Sequence, residues 1–531
     1  MDRVDSFIIK NMHKTNNLKI INKTWQDFET ECKNKKLILY GISALSIYLS
    51  MRCSKNISIV AAIDNDVSKQ GHLLSDILDV SDFKDSENIV ISPKKILENY
   101  SANDVVILIS SNRYYEEIAT ELDEQGFHCY FSILNMEYNY REQMKKNNLS
   151  FETEETYISN YAKECVSKYP VQSNKIIIYM ATYIDHGKYI TKQLLKLNKN
   201  LDIVWIINNN LSINIPDNVR TINERNVKRY IYELETAKVW IYNSIFLLPI
   251  IKRKNQVYIQ TKHWGSITLK KFSLDSMQNV DFEGMRKNGA LMDYVISGSE
   301  LDEKSCRSGF NFHGKFLRYG SPRSDILFEP EEYRKKVFKQ FNISNDEKIL
   351  MYAPTFRAHK EKKFFMFKWQ GLDFDILLQA LKQKWKGKWK IFLRLHPFIK
   401  INSTQIEYPD YVIDVSNYDD SQELLAACDV LLSDFSSIIF EQAYVMKPVF
   451  LYAPDKNTYE KNDRELLIDY NSLPFPISTT NEELAEQIKF FNEVEYKRNV
   501  KAFLDKYGVH EDGHASERAA KFILGLLNND L

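Results

Sequence analysis

The sequence predicts an α/β protein built from doubly wound parallel sheets. Short apolar runs recur along all 531 residues, each of the length of a strand buried on both faces. Between them lie polar stretches with helical spacing, the alternation that βαβ units require. The loops at the C-terminal ends of these runs collect histidines, arginines and serines, and open α/β sheets bind ligands at that edge.

The chain is too long for one core and is expected to form two to four domains. With 31 Tyr and 30 Phe against 16 Gly and 13 Pro, it reads as dense, ordered structure with few flexible linkers. Lys+Arg and Asp+Glu balance at 71 each. No global field therefore favours nucleic acid, and that class of partner is not expected. Cys32, Cys53, Cys129, Cys165, Cys306 and Cys428 are scattered without close pairs, which argues against a disulfide framework or a structural zinc site and fits a reducing cytosol. The stretch from Met1 to Lys14 lacks the apolar region of a secretory signal. No window of about 18 uncharged apolar residues spans a membrane. The expected location is cytoplasmic, with peripheral attachment to the inner face of the cell membrane left open.

Residues 1–32 are polar and predicted helical. Lys36 to Gly41 opens an α/β unit, followed by a helix from Ala44 to Arg52, a strand from Ile57 to Ile63, strands at 89–91 and 105–110, a helix near Tyr114 to Gln125 and a short strand from His128 to Phe131. This gives a small Rossmann-like domain over 1–135. Its phosphate-loop signature is incomplete: Gly41-Ile42-Ser43-Ala44-Leu45-Ser46 keeps one of the three glycines of a dinucleotide site, with Asp64 near the ribose-binding position. A ligand site and a docking or regulatory role both stay open.

Residues 136–170 read as a connecting helical segment. A second strand series starts at Lys175–Met180 and continues through 203–207, 238–242, 257–260 and 294–297, which defines a domain over 171–335. A third begins at Lys348–Tyr352 and continues through 389–394, 412–414, 430–433 and 448–452, which defines a domain over 336–531. Two consecutive doubly wound domains suggest a pair facing each other across a cleft.

Four strand-end loops stand out: Thr261-Lys262-His263-Trp264-Gly265-Ser266, Gly320-Ser321-Pro322-Arg323, Ala353-Pro354-Thr355-Phe356-Arg357 and Arg394-Leu395-His396-Pro397. A fifth feature is Val430-Leu431-Leu432-Ser433-Asp434-Phe435-Ser436-Ser437, a buried strand, a hydroxyl-rich turn and then a helix. Its first turn offers free N–H groups and the positive end of the macrodipole to an anion, or one serine simply caps the helix. Cations and helix-start hydroxyls suit a diphosphate, and a histidine suits proton transfer from an alcohol. No ligand set for a tightly held metal, no Walker A sequence and no G-x-S-x-G is found.

These residues also carry a resemblance. AKVWIYNS (237–244), QVYIQTKHWGSITLKKF (256–272), GSPRSDIL (320–327), ILMYAPTFR (349–357), FLRLHP (392–397), LLSDFSSIIFEQAYVMKPVFLYAPD (431–455) and DGHASERAAKFI (512–523) resemble, in order and spacing, the CDP-glycerol:poly(glycerophosphate) glycerophosphotransferase family, the teichoic-acid and capsule polyol-phosphate transferases. The resemblance runs from about 171 to the C-terminal end. It implies a GT-B fold, a CDP-polyol donor carrying glycerol or ribitol phosphate, a polymer or lipid-linked saccharide acceptor, and release of CMP. No tightly bound cofactor is implied, and a divalent cation is left open. His263 takes the place of the family's general base and His396 that of the histidine at the donor diphosphate. Ser436 and Ser437 are expected to hold phosphate oxygens, with Thr355 and Arg394 on the donor side and Arg323 and Arg357 as donor-side or structural cations. Asp434 either orients its loop or binds the donor. Glu441 is either an exposed helix acid or a ribose contact. The family usually reads Trp-His-Gly where this chain has His263-Trp264-Gly265, so the loop is either re-registered or serves a different acceptor.

The alternatives are a GT-B glycosyltransferase using a nucleotide sugar and a non-catalytic scaffold of a polymer-synthesis complex. Lys363-Phe364-Phe365-Met366-Phe367-Lys368-Trp369 and the stretch Lys382 to Lys390 mix cations with aromatics, as a contact with an anionic membrane surface does. For the second stretch, a helix end leading into a buried strand explains the pattern equally well.

Overall fold

The computed structural model describes residues 23–53, 56–79, 83, 88–95, 99–111, 114–208, 215–246, 248–272, 282–355, 357, 371–395, 408–463 and 465–528. The fold is α/β with several parallel sheets. The chain forms two compact units and passes between them more than once: Met1–Tyr183, Asn200–Trp240 and Phe246–Gln256 make the first, and Ile184–Lys199, Ile241–Ile245 and Val257–Leu531 make the second.

In the first unit, β1 (Lys36–Tyr40), β2 (Ile59–Ile63), β3 (Val90–Ile91), β4 (Val105–Ile109) and β5 (Tyr130–Ser132) form a parallel sheet in the order β3-β2-β1-β4-β5. The order reverses beside β1, with β2 and β3 on one side of it and β4 and β5 on the other, as in a doubly wound sheet. Two helices follow, Ile133–Lys146 and Glu154–Lys168, where the sequence suggested one connecting segment. The break has a local cause: Thr153 starts the second helix by accepting from the Thr156 N–H at 3.1 Å. Then come β6 (Gln172–Ala181), β7 (Asp202–Ile207), β8 (Val219–Asn223) and β9 (Ala237–Tyr242), with β6, β7 and β8 paired in parallel.

At the C-terminal edge of β1 and β2 the expected ligand positions are occupied by the protein itself. Asp64 accepts from the Ile42 N–H at 2.7 Å and from Lys69 Nζ at 2.8 Å. A Cβ on Gly41, which has φ +79°, would lie 3.1 Å from Ser111 Cβ.

In the second unit, β10 (Val257–Gln260), β11 (Tyr294–Ser297) and β12 (Lys315–Arg318) run parallel. A six-stranded sheet follows, made of β13 (Glu347–Ala353), β14 (Lys388–Leu393), β15 (Val412–Asp414), β16 (Val430–Ser433), β17 (Val449–Tyr452) and β18 (Ile477–Ser478), in the order β15-β14-β13-β16-β17-β18. β16 and β17 are buried along their whole length, as apolar strands covered on both faces should be. The sequence pattern does not reveal β8, interrupted by Arg220 and Thr221, β12, with Lys315 and Arg318 at its ends, or β18, which has only two residues.

The second basic-aromatic stretch belongs to this core. Trp389 is buried in β14, and Trp385 packs on Trp389, Phe450 and Phe491. Its aromatics face the protein, which favours the buried-strand explanation. Residues 363–369 lie outside the described residues. Among the described residues no helix is long and apolar enough to cross a membrane.

Candidate active site

The loop after β10 alternates sides. Gln260 shapes it, accepting from the Lys262 N–H at 2.8 Å and donating to the Ser244 carbonyl at 2.7 Å. Lys262 adopts φ +58°, a left-handed conformation uncommon outside glycine. That turn sends its side chain inward, where Nζ lies 3.0 Å from Asp302 with neither group exposed. Trp264 also points inward. It lies parallel to Phe310 and donates from Nε1 to Asp302 at 2.9 Å. His263, between them, is exposed, its ring edge-on to Trp264 at 4.9 Å. Burial pushes Asp302 above its ordinary value, with Lys262 acting in the opposite direction.

Arg323 anchors the loop's backbone. It lies in a 3-10 turn, Pro322–Leu327. Its Nη1 donates to Asp185 at 2.9 Å and to the His263 carbonyl at 3.0 Å, and its Nη2 pairs with Glu441. Asp185, at φ +62°, also accepts from Asn243 Nδ2 at 2.9 Å. Burial works against its charge, but His186, the Arg323 guanidinium and the hydrogen bonds from Asn243 and Arg323 together hold it below the usual carboxylate range. Glu441 is fully buried and also accepts from Gln422. It is therefore not an exposed helix acid, and each of its oxygens already accepts from a protein donor. Gly265 sits against this pair, and a Cβ there would meet Glu441 Oε1 and the Tyr444 hydroxyl at 3.2 Å.

The loops after β13 and β16 form a second cluster. Asp434 is buried and accepts from the Thr355 N–H at 2.8 Å, the Phe435 N–H at 2.6 Å and Arg357 Nη2 at 2.7 Å. Of the two roles open to it, this geometry gives it loop orientation. Arg357 also pairs with Asp455 at 2.6 Å and covers the rings of Phe435 and Tyr459. Its charge is thus neutralised locally. Arg394 spends Nη1 on the carbonyls of Val415, Ser416 and Tyr418, because an apolar strand end with outward-turned carbonyls needs a donor. Arg357 and, through Nη1, Arg394 are thus engaged by groups of the chain itself. Thr355 differs: its hydroxyl is buried without a partner among the described residues. Ser436 and Ser437 are half-buried at the start of helix Ile438–Tyr444. Ser436 Oγ accepts from the Ile438 N–H at 3.4 Å, and Ser437 Oγ accepts from the Leu269 N–H at 3.0 Å. Ser437 therefore links this cluster to the His263 loop. His396 lies outside the described residues.

The sequence reading missed Asp185, His186, Lys262, Asp302 and Glu511 as site-forming groups. Asp185 and His186 stand at a strand end like the loops that were singled out, so the same rule applies to them. Lys262, Asp302 and Glu511 resemble ordinary surface charges in sequence and become visible only through burial. Glu511, half-buried, accepts from Ser266 Oγ and from the Ser321 N–H, and the loss of solvent around it pushes it up to about 8.

A model of the CDP-glycerol:poly(glycerophosphate) glycerophosphotransferase family matches residues 161–525. The chain belongs to this family. It is 29% identical over 309 residues to the teichoic acid poly(glycerol phosphate) polymerase of Bacillus spizizenii, covering 56% of this chain and 77% of that one. It is 30% identical over 369 residues to the polymerase of the same description from Staphylococcus epidermidis, covering 66% of this chain and 49% of that one, so it spans about half the length of that relative. Among solved structures, a histidine-to-asparagine variant of the wall teichoic acid polymerase TagF, soaked with CDPG, is similar with a TM-score of 0.61 and 26% identity over 73% of this chain and 96% of that one.

Proposed function

We propose that this glycerophosphotransferase-family chain moves a polyol phosphate, glycerol or ribitol phosphate, from a CDP-activated donor to an acceptor hydroxyl in the synthesis of a teichoic-acid or capsule-type polymer, and releases CMP. The observation that carries the reading is the His263 loop. Its neighbours Lys262 and Trp264 are buried and bonded, its carbonyl is held by Arg323, and the imidazole alone is presented at the surface. An imidazole on a fixed backbone suits proton transfer from an alcohol. The altered order around His263 then reads as a re-registered loop that still exposes the ring.

In this mechanism the acceptor oxygen attacks the β-phosphorus in line. His263 takes the hydroxyl proton, a new phosphodiester O–P bond forms, and the bond from that phosphorus to the CMP oxygen breaks with its electron pair leaving on CMP. Ser436, Ser437, the Thr355 hydroxyl and His396 are assigned to the diphosphate, where they stabilise the charge that develops. Arg323, Arg357 and Arg394 are assigned to holding the loops. The parts are assigned to a GT-B pair preceded by a Rossmann-like N-terminal domain. The occupied Asp64 favours a docking role for that domain. The acceptor is a polymer or a lipid-linked saccharide, and a membrane-surface location fits such an acceptor.

A donor screen tests the reading. The purified chain is incubated with labelled CDP-glycerol, CDP-ribitol and UDP-sugars in the presence of a polyol-phosphate or lipid-linked primer. Release of CMP from a CDP-polyol supports it, and release of UDP alone identifies a glycosyltransferase instead.

A further inference from the structure

Helix Asp185–Leu197 begins with two residues that reach the same loop. Asp185 holds the His263 carbonyl through Arg323 Nη1. His186, completely buried, places Nε2 3.1 Å from the Trp264 carbonyl. One dipeptide thus fixes two successive carbonyls, those of His263 and Trp264. Burial, with the charges of Arg323 and Lys262, outweighs the opposing pull of Asp185 and pushes His186 down to about 3, so its ring is neutral. With a carbonyl and Asp185 Oδ1 (3.6 Å) both beside Nε2, that nitrogen carries the proton. Nδ1 is left buried without a partner among the described residues. An imidazole with an orphaned lone pair is a poor choice for packing alone, since an apolar ring would fill the space without that desolvation cost. Asp185 and Lys262, one at the start of each segment, both adopt left-handed backbone, and such strain gathers where geometry matters for function.

We infer that His186 is a positioning residue: its Nε2–H fixes the Trp264 carbonyl and, with it, the direction in which the neighbouring His263 ring faces. The inference rests on the reading of His263 as general base. His186 touches no reacting atom, and its effect is on the orientation of the base.

The test compares His186→Leu, His186→Gln and His186→Asn in the full chain, reading CMP release from CDP-glycerol at saturating primer, with thermal midpoints in parallel. Glutamine extends an N–H to the position of Nε2, whereas asparagine is too short. The Leu and Asn variants are expected to lose about tenfold in kcat with donor KM within about twofold, and Gln to recover most of the rate. A merely structural histidine would leave kcat independent of the donor at Nε2, so equal rates for Gln and Asn overturn the inference, even if Leu fails to fold. His263→Ala run alongside separates the two claims. Wild-type kcat in that variant overturns the base assignment. An inactive His263→Ala together with wild-type kcat in His186→Leu and His186→Asn overturns the positioning role alone.

Discussion

Lys262 and Asp302 form an ion pair 3.0 Å apart beneath the His263 loop, and neither is exposed to solvent. A buried pair of this kind is weak evidence for stability as such, but breaking it strands a charge. Lys262→Met should therefore destabilise the second unit by about 3–5 kcal/mol, while Lys262→Met with Asp302→Leu should cost clearly less. Thermal unfolding of the single and double variants measures this. A double variant less stable than the single one would show that Asp302 does not need its cation.

Gly265 reports on the contact between the loop and Glu441. A methyl group there meets Glu441 Oε1 and the Tyr444 hydroxyl at 3.2 Å, so Gly265→Ala must push the loop outward by a few tenths of an ångström. The expected result is a kcat about tenfold lower with little change in donor KM, because such small misplacements of a reacting group are costly. Steady-state CMP release gives both constants, and an unchanged kcat would mean that the loop tolerates the shift.

Thr355 is the one donor-side residue whose buried hydroxyl has no partner among the described residues. Thr355→Val keeps its shape and removes the hydroxyl. Stability should not fall, and the KM for CDP-glycerol should rise up to about tenfold, the worth of one hydrogen bond. A normal KM would remove Thr355 from the donor site.

Glu511 gives the pH dependence its sign. Its ordinary value is 4.5, and burial raises it to about 8 in the folded chain. The folded state therefore holds a proton that the unfolded state has already released. Below about pH 4.5 there is no difference, stability falls as pH rises from there to about 8, and above that the loss is constant, of the order of 5 kcal/mol. Glu511→Gln should flatten that slope and raise the thermal midpoint at pH 8.5. Parallel slopes for the two proteins between pH 6 and 8.5 would show that Glu511 is ionised throughout.

Much of the fold was legible because buried parallel strands are written as uninterrupted apolar runs. β13, β16 and β17 read that way, whereas β12, with Lys315 and Arg318 at its ends, does not. The loops of the site were legible for the same reason: they follow those runs. What the residues in them do was less so. Arg323, Arg357 and Arg394 look like phosphate cations in sequence, yet each is bound to carboxylates or carbonyls of its own chain. Glu441 looks like a surface acid and is buried. A charge's partner is set by residues distant in sequence, such as Asp185 for Arg323, and spacing along the chain does not reveal it.

The reading depends most on His263 as the group that accepts the proton. The direct measurement is kcat for CMP release from CDP-glycerol by His263→Ala, at saturating primer and with the thermal midpoint confirmed as unchanged. A loss of about 10²–10⁴-fold with donor KM preserved is the predicted result. A folded variant that turns over at the wild-type rate would contradict it.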